Sequence, residues 1–191
     1  MAASSQVNNS QCYFSNFCNV SCSTSKELEE SNLLSLHECD KNTSYHLAGL
    51  QASERIPGKN AQFYDCPEAL LILYRCGIFT IDPRSLDLKI CQKHREYFGI
   101  RWRRSKTRCS YPEHNGQKSR GDRGANPSLC KEYWLKTRST LQVGTGICKH
   151  CQQFFRSNIS EEFKVDFKDE IESFFQVKKL IKKNFAEEIC E

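Results

Sequence analysis

Three short couplets, Cys91-x2-His94, Cys109-x4-His114 and Cys148-x2-Cys151, constrain this chain more than any other feature of its sequence. Each can present two soft nitrogen or sulfur donors from one turn of chain. A tetrahedral Zn²⁺ is typically held by two such pairs brought together in space. The intervening sequence is poor in continuous apolar residues between 99 and 130, so burial alone would struggle to offset the entropy of ordering that backbone. Metal binding, worth on the order of 10–16 kcal/mol in small zinc peptides, would close the gap.

Cys148-Lys149-His150-Cys151 is the strongest of the three signals. The preceding Gly144-x-Gly146 lets backbone N–H groups turn toward thiolate sulfurs, and Gln152-Gln153-Phe154-Phe155 can start a helix directly afterwards. That pattern predicts half of a treble-clef-like site. Cys91 and His94, with the same x2 spacing, are the natural second half, and Cys109/His114 is a third pair stiffened by Pro112. Six donors exceed the four that one zinc takes. Either one couplet is not a ligand, or there are two sites, the second completed by Cys66, Cys76, Cys130 or His150. Cys12, Cys18 and Cys22 stand at x5 and x3 spacing, poor for a chelate, and read as free thiols in a flexible tail.

The expected fold class is α+β: a small zinc-stabilised, treble-clef-like Cys/His-rich domain of short helices and hairpins. Residues 1–60 are rich in Ser, Asn, Cys and Glu and read as a disordered N-terminal tail, with at most a short helix between Lys26 and Cys39. Order is expected from about Phe63, the zinc-binding domain spanning 61–156. Asp65-Cys66-Pro67-Glu68 marks a helix start, the run Ala69 to Leu73 a buried element, and Gly77 a helix end. Ile78 to Ile81 reads as a short strand, Leu88 to Phe98 as a helix and Ile100 to Arg104 as strand-like. Asn126-Pro127 opens a further helix to about Arg138. Residues 157–191 read as an amphipathic C-terminal helix, with Phe163, Phe167, Ile171, Phe174, Val177, Ile181 and Phe185 at three- and four-residue steps.

Charge is uneven. The chain is formally +5, yet from Arg95 to Arg138 there are twelve Lys/Arg against four acids, an excess of eight. A basic middle between mildly acidic ends is an electrostatic footprint for a polyanion. Arg101, Arg103, Arg104, Lys106 and Arg108 are the expected phosphate contacts, with Trp102 either stacking on a base or packing in the core. The first nine residues have neither a charged n-region nor an apolar h-region, and no apolar run reaches a membrane-spanning length. The expectation is an intracellular protein, nuclear or cytoplasmic, without membrane contact.

No HExxH or His-x-Glu…Pro-Cys-x2-Cys pattern, nucleophile–base pair or phosphate-cradling loop is evident, and Gly144-Thr145-Gly146 is too short for a P-loop. A closed structural zinc is therefore expected rather than a catalytic one, in a non-enzymatic binding module. Its partner is nucleic acid, or alternatively a protein engaged through the Phe-rich C-terminal helix, which could equally pair two copies as a homodimer.

The order Ile90-Cys91-x2-His94-Arg95, Cys109-x2-Pro112-x-His114, Gly146-x-Cys148-x2-Cys151 resembles an uncharacterised Cys/His-rich module found in many invertebrate proteins. It is also similar to the cysteine-rich half of the ARF-like GTPase effector protein family. The likeness covers residues 76–152 and implies zinc binding at Cys91, His94, Cys109, His114, Cys148 and Cys151. It does not imply the GTPase-effector role, since likeness of fold does not carry function. The middle couplet is spaced differently, and this chain lacks that family's further Cys-rich C-terminal segment.

Overall fold

Local periodicity places the first core helix, and everything else is arranged around it. A computed structural model of the chain describes residues 12–22, 33–104, 107–117 and 119–188. Among the described residues the fold is mixed α+β, with seven α-helices and three two-stranded antiparallel sheets. In chain order these are β1 (Leu33–Ser35), α1 (Ser44–Gly49), β2 (Glu54–Arg55), β3 (Phe63–Tyr64), α2 (Glu68–Arg75), α3 (Pro83–Asp87), β4 (Lys89–Cys91), α4 (Gln92–Phe98), β5 (Arg123–Gly124), α5 (Pro127–Thr137), β6 (Gly146–Ile147), α6 (Lys149–Asn158) and α7 (Phe167–Glu188). β1 pairs with β4, β2 with β3, and β5 with β6.

α2 is the spine. Ala69 to Tyr74 are completely buried, and covering four Leu/Ile side chains contributes roughly 1.5–3 kcal/mol each before ordering costs. Its two ends are charged, and both ends grip α4. Glu68, itself buried, pairs with Arg95 at 2.7 Å and also accepts from the Lys41 backbone N–H at 2.8 Å. Arg75 at the other end is 1 % exposed and donates to the carbonyls of Phe98, Gly99 and Val143. A buried guanidinium without carboxylate contact is tolerable only because backbone dipoles satisfy it. Its remaining nitrogen donates to His46 Nε2 at 3.0 Å, and its carbon lies 4.7 Å above the Trp102 ring. Gly77 ends α2 with φ +76°.

Several expectations are corrected here. Residues 12–22 and 33–60 belong to the same core as the rest: Phe14, Leu36, Leu47 and Ala52 are buried within it, and β1 and α1 lie in this stretch. There is thus no break at residue 61. Of the short helix expected from Lys26 to Cys39, residues 23–32 lie outside the described set, and the rest is β1 followed by a 3-10 turn, Leu36–Glu38. The helix expected from Leu88 begins only at Gln92, because Lys89 to Cys91 pair with Ser35 to Leu33 instead. Ile78 to Ile81 and Ile100 to Arg104 are not strands. A strand needs a partner edge, and the Ile78 N–H instead donates back to Leu73. Phe79 packs its ring between Tyr74 and Trp134.

α5 opens at Asn126-Pro127 as its sequence predicts, but the Asn126 side chain does not cap it. Glu54 of β2 does so from outside, accepting from Ser128 N–H, Ser128 Oγ and Asn126 Nδ2 at 3.1, 2.8 and 2.8 Å. A carboxylate at a helix N-terminus satisfies orphan donors and favours the dipole. α7 is amphipathic as expected but is not a separate unit. Phe167, Phe174 and Ile181 are buried in the common core, while Phe163 lies in the preceding 3-10 turn. Glu170 fixes the helix by accepting from Tyr74 Oη and Lys131 Nζ at 2.5 and 2.6 Å. The Phe185 side chain lies outside the described residues. Among the described residues, no helix is long and apolar enough to cross a membrane.

Candidate metal centres and a basic groove

Two clusters of four donors form, and each could hold a metal ion: Cys12, Cys22, Cys91 and His94, and Cys109, His114, Cys148 and Cys151. In each, the four donor atoms lie within 4.8 Å of one another. A tetrahedral ion with bonds of roughly 2.0–2.3 Å separates its donors by roughly 3.5–3.8 Å. His94 Nδ1 stands 3.5, 3.6 and 3.1 Å from the sulfurs of Cys12, Cys22 and Cys91. His114 Nδ1 stands 3.0 and 3.8 Å from those of Cys151 and Cys148.

The two centres repeat one local design. A short strand, β4 or β6, delivers a cysteine to the N-cap of a helix, with backbone angles of −80°, 157° at Cys91 and −81°, 156° at Cys148. The second member of the couplet follows three residues later on the first helical turn. In both centres the N-cap cysteine donates its N–H to a distant sulfur: Cys91 to Cys12 at 3.3 Å, and Cys148 to Cys109 at 3.2 Å. In both, the histidine Nε2–H donates to a backbone carbonyl, Val20 at 2.9 Å for His94 and Gln117 at 3.0 Å for His114. That contact fixes the tautomer and leaves the Nδ1 lone pair facing the sulfurs, as a ligating imidazole requires.

One thiol in each centre, Cys91 or Cys148, is shifted toward the ionised form that binds metal. The hydrogen bond from Cys12 holds Cys91 down at about 3, against burial and with help from His94. Burial pushes Cys148 up, but hydrogen bonds from the Cys151 N–H, the Cys151 thiol and Cys109 outweigh it and bring it below the ordinary thiol value. Their neighbours Cys12 and Cys151 are raised, the first mainly by its bond to Cys91 and the second mainly by burial. Each centre thus places its more acidic thiol on a helix N-cap, where the helix dipole favours negative charge.

Around the second centre the chain is drawn in tightly. Cys109 and His114 sit on a loop closed by Cys109 N–H to Ser119 and Gly121 N–H to Thr107. A Cβ on Gly121 would lie 2.7 Å from the Gly146 carbonyl carbon, so the two backbones cross only because both residues are glycine. Tyr111 packs against Tyr133 and Phe155, tying the loop to α5 and α6.

All six sequence-predicted ligands therefore lie in clusters, but the expected pairing is corrected. Cys91/His94 does not complete the Cys148/Cys151 site; Cys109/His114 does. The first centre gathers Cys12 and Cys22, which read as tail thiols, beside Cys91 and His94, and not Cys66, Cys76, Cys130 or His150. Cys66 and Cys130 are buried in the core and Cys76 packs against it, all outside both donor clusters. His150 is exposed. The overlooked signal was aromatic: Tyr13, Phe14 and Phe17 between the cysteines are foreign to a solvated tail, and Phe14 is fully buried against Phe98.

The expected phosphate-contacting stretch is also reassigned in part. Trp102 is 8 % exposed and occupied by Arg75, so it is core rather than a stacking surface. Arg104 donates to Gly121 O and Leu50 O at 2.6 and 2.5 Å and serves as a brace. Arg101 pairs with Glu96 at 2.7 Å, and Arg103 folds back onto the Trp102 carbonyl. Arg108 is exposed and bridges Arg120, while Lys106 lies outside the described residues.

Arg101, Arg103 and Arg108 stay exposed, and a further basic surface lies on both sides of the 119–124 segment. One open cavity of about 780 Å³ is lined by Arg104, Ser119, Arg120, Asp122, Lys149 and His150 among others. A second, of about 570 Å³, is lined by Glu54, Arg55, Phe63, Arg123, Asn126 and Arg156 among others. The two share Gln51, and α6 contributes Lys149 and His150 to one and Gln152 and Arg156 to the other. Six cationic side chains thus face two acids along this groove.

Fold and site together define a small α+β protein with two candidate metal centres, the second at the root of a basic groove. The chain matches no family model, no curated protein and no solved structure.

Proposed function

We propose that this protein is a zinc-stabilised nucleic-acid-binding module whose contact surface is the basic groove flanking residues 119–124. Three thiolates and one imidazole per centre form a donor set that suits Zn²⁺ closed by protein alone, as in structural sites. The second centre adds support for a treble-clef-like arrangement, since a knuckle-like loop and a helix N-terminus share its four ligands. The single observation that carries the nucleic-acid reading is the groove itself, where Arg55, Arg120, Arg123, Lys149 and Arg156 line two adjoining cavities against Glu54 and Asp122.

Metal and groove are mechanically one unit. β6 and α6 meet at Cys148, β6 holds β5 with Arg123, and α6 carries Arg156. Zinc at the second centre fixes both walls. The competing adaptor reading needs the Phe-rich face of α7 on the surface, and Phe167, Phe174 and Ile181 are already covered by the chain's own core.

Two measurements on the full chain test the proposal. Native mass spectrometry is expected to give two zinc ions per chain. Fluorescence anisotropy with single-stranded RNA and DNA is expected to show affinity falling steeply with salt, as phosphate neutralisation requires. A metal-free folded protein, or no binding at 50 mM salt, would overturn it.

A further inference from the structure

The smaller cavity beside Arg123 carries more chemical information than charge alone. Arg55 from β2, Arg123 from β5 and Arg156 from α6 line it, and no lysine does. Among the described residues, none of the three guanidinium groups has a carboxylate within ion-pair distance. The carboxylate that shares the cavity, Glu54, is committed to Asn126 and Ser128.

Two polar atoms here lack partners. Asn126 is 5 % exposed and its Oδ1 accepts nothing; Arg123 Nε donates to nothing. Among the described residues these are the two buried side-chain nitrogen or oxygen atoms without a hydrogen bond, and both residues line this one cavity. An unmade buried hydrogen bond costs about 1–3 kcal/mol, so an orphan acceptor and an orphan donor on two residues of one cavity wall point to something that supplies the complement. Phe63, which also lines the cavity, leaves 46 % of its surface exposed.

We infer that this cavity receives one unstacked nucleotide of a single-stranded nucleic acid, its phosphate met by Arg55, Arg123 and Arg156 and its base laid against Phe63. The inference rests on the nucleic-acid reading above and narrows it to a place and a strand state. Guanidinium forks match phosphate oxygens in pairs. A base offers a flat apolar face for an aromatic ring and an edge carrying both donors and acceptors, which Arg123, Asn126 and Gln152 can read. An acidic peptide would use the arginines but has no need of an exposed ring next to a mixed donor–acceptor edge. The volume, about 570 Å³, lies within the range of small-ligand pockets and has no room for a duplex.

The test uses the full-length zinc-loaded protein and a fluorescein-labelled single-stranded RNA decamer, measured by anisotropy across a salt series. Arg123→Gln/Arg156→Gln is expected to weaken binding about 10- to 100-fold and to flatten the salt dependence by roughly one to two phosphates. Phe63→Ala is expected to weaken binding about 5- to 50-fold with the salt dependence unchanged, because stacking releases no counterions. An oligomer of abasic units should bind the parent weakly and be indifferent to Phe63→Ala. Retention of two metals and of the circular dichroism spectrum shows that each variant is folded. Parent-like binding by both folded variants would overturn the cavity assignment and leave the broader nucleic-acid reading standing. Loss with the arginines but none with Phe63 or with base removal would overturn the nucleotide pocket in favour of a phosphate-only contact. A phosphorylated peptide displacing the RNA more effectively than unlabelled RNA of equal charge would overturn it in favour of a peptide site. Absence of any RNA binding by the parent would bring down both.

Discussion

The backbone N–H of Cys91 donates to the Sγ of Cys12 at 3.3 Å across 79 residues of chain. Cys12 is 2 % exposed, so this contact is made in the interior and not at a loose end. It makes the segment around Cys12 an integral wall of the first candidate metal centre, which bears directly on which cysteines matter.

Cys12→Ser, Cys22→Ser and Cys91→Ser are each expected to destabilise the protein by more than about 3 kcal/mol and to lower the bound metal from two ions to one. Cys18→Ser, outside both clusters, should leave stability within about 0.5 kcal/mol. Native mass spectrometry and thermal unfolding measure both. Unchanged metal content in Cys12→Ser would remove that residue from the centre.

The Arg75–His46 contact predicts a pH dependence. His46 must stay neutral to accept from the guanidinium, and burial, followed by the charges of Arg75 and Arg103, lowers its pKa from 6.5 to about 4. The unfolded chain therefore takes up the proton first as pH falls. Stability from this group is present above pH 6.5, declines between 6.5 and about 4, and is lost below. Denaturant unfolding of parent and His46→Gln over that range should show a shallower decline in the variant. Parallel profiles would count against the contact.

Glu54 caps α5 from another element, so Glu54→Ala should cost about 1–3 kcal/mol by leaving Ser128 N–H and Asn126 Nδ2 unpaired. Glu54→Gln, which can still accept, should cost less. Chemical denaturation gives both values, and equal losses would argue that bulk rather than hydrogen bonding is at stake.

Phe174 is 1 % exposed and Phe175 is 48 % exposed on the same helix. Phe174→Ala is expected to destabilise the whole protein by about 3–5 kcal/mol in a single transition, and Phe175→Ala by less than about 0.5 kcal/mol. A separate, unchanged transition for the rest of the chain after Phe174→Ala would show that α7 folds independently.

The sequence by itself determined whatever is settled within a turn or two of chain. Cys91 with His94, and Cys148 with Cys151, are three residues apart, so their donors converge whatever the rest of the molecule does. Gly77, Pro127 and the apolar run Ala69 to Leu73 set helix boundaries and a buried spine through local backbone and hydrophobic preferences. The apolar rows of α7 were visible for the same reason.

Tertiary structure decided which couplet meets which. Cys12 and Cys22 carry no chelate spacing, and they join Cys91 and His94 because Phe14 packs on Phe98 and the Cys91 N–H reaches Cys12. Arg104 read as a phosphate contact and Trp102 as either a stacking surface or core, until the carbonyls of Leu50 and Gly121 and the Arg75 guanidinium claimed them. Arg55, Arg123 and Arg156 lie far apart in sequence and share a cavity only through β2, the β5–β6 pairing and α6. Local preference acts over a few residues, whereas loop closure and burial select among long-range pairings that no spacing rule encodes.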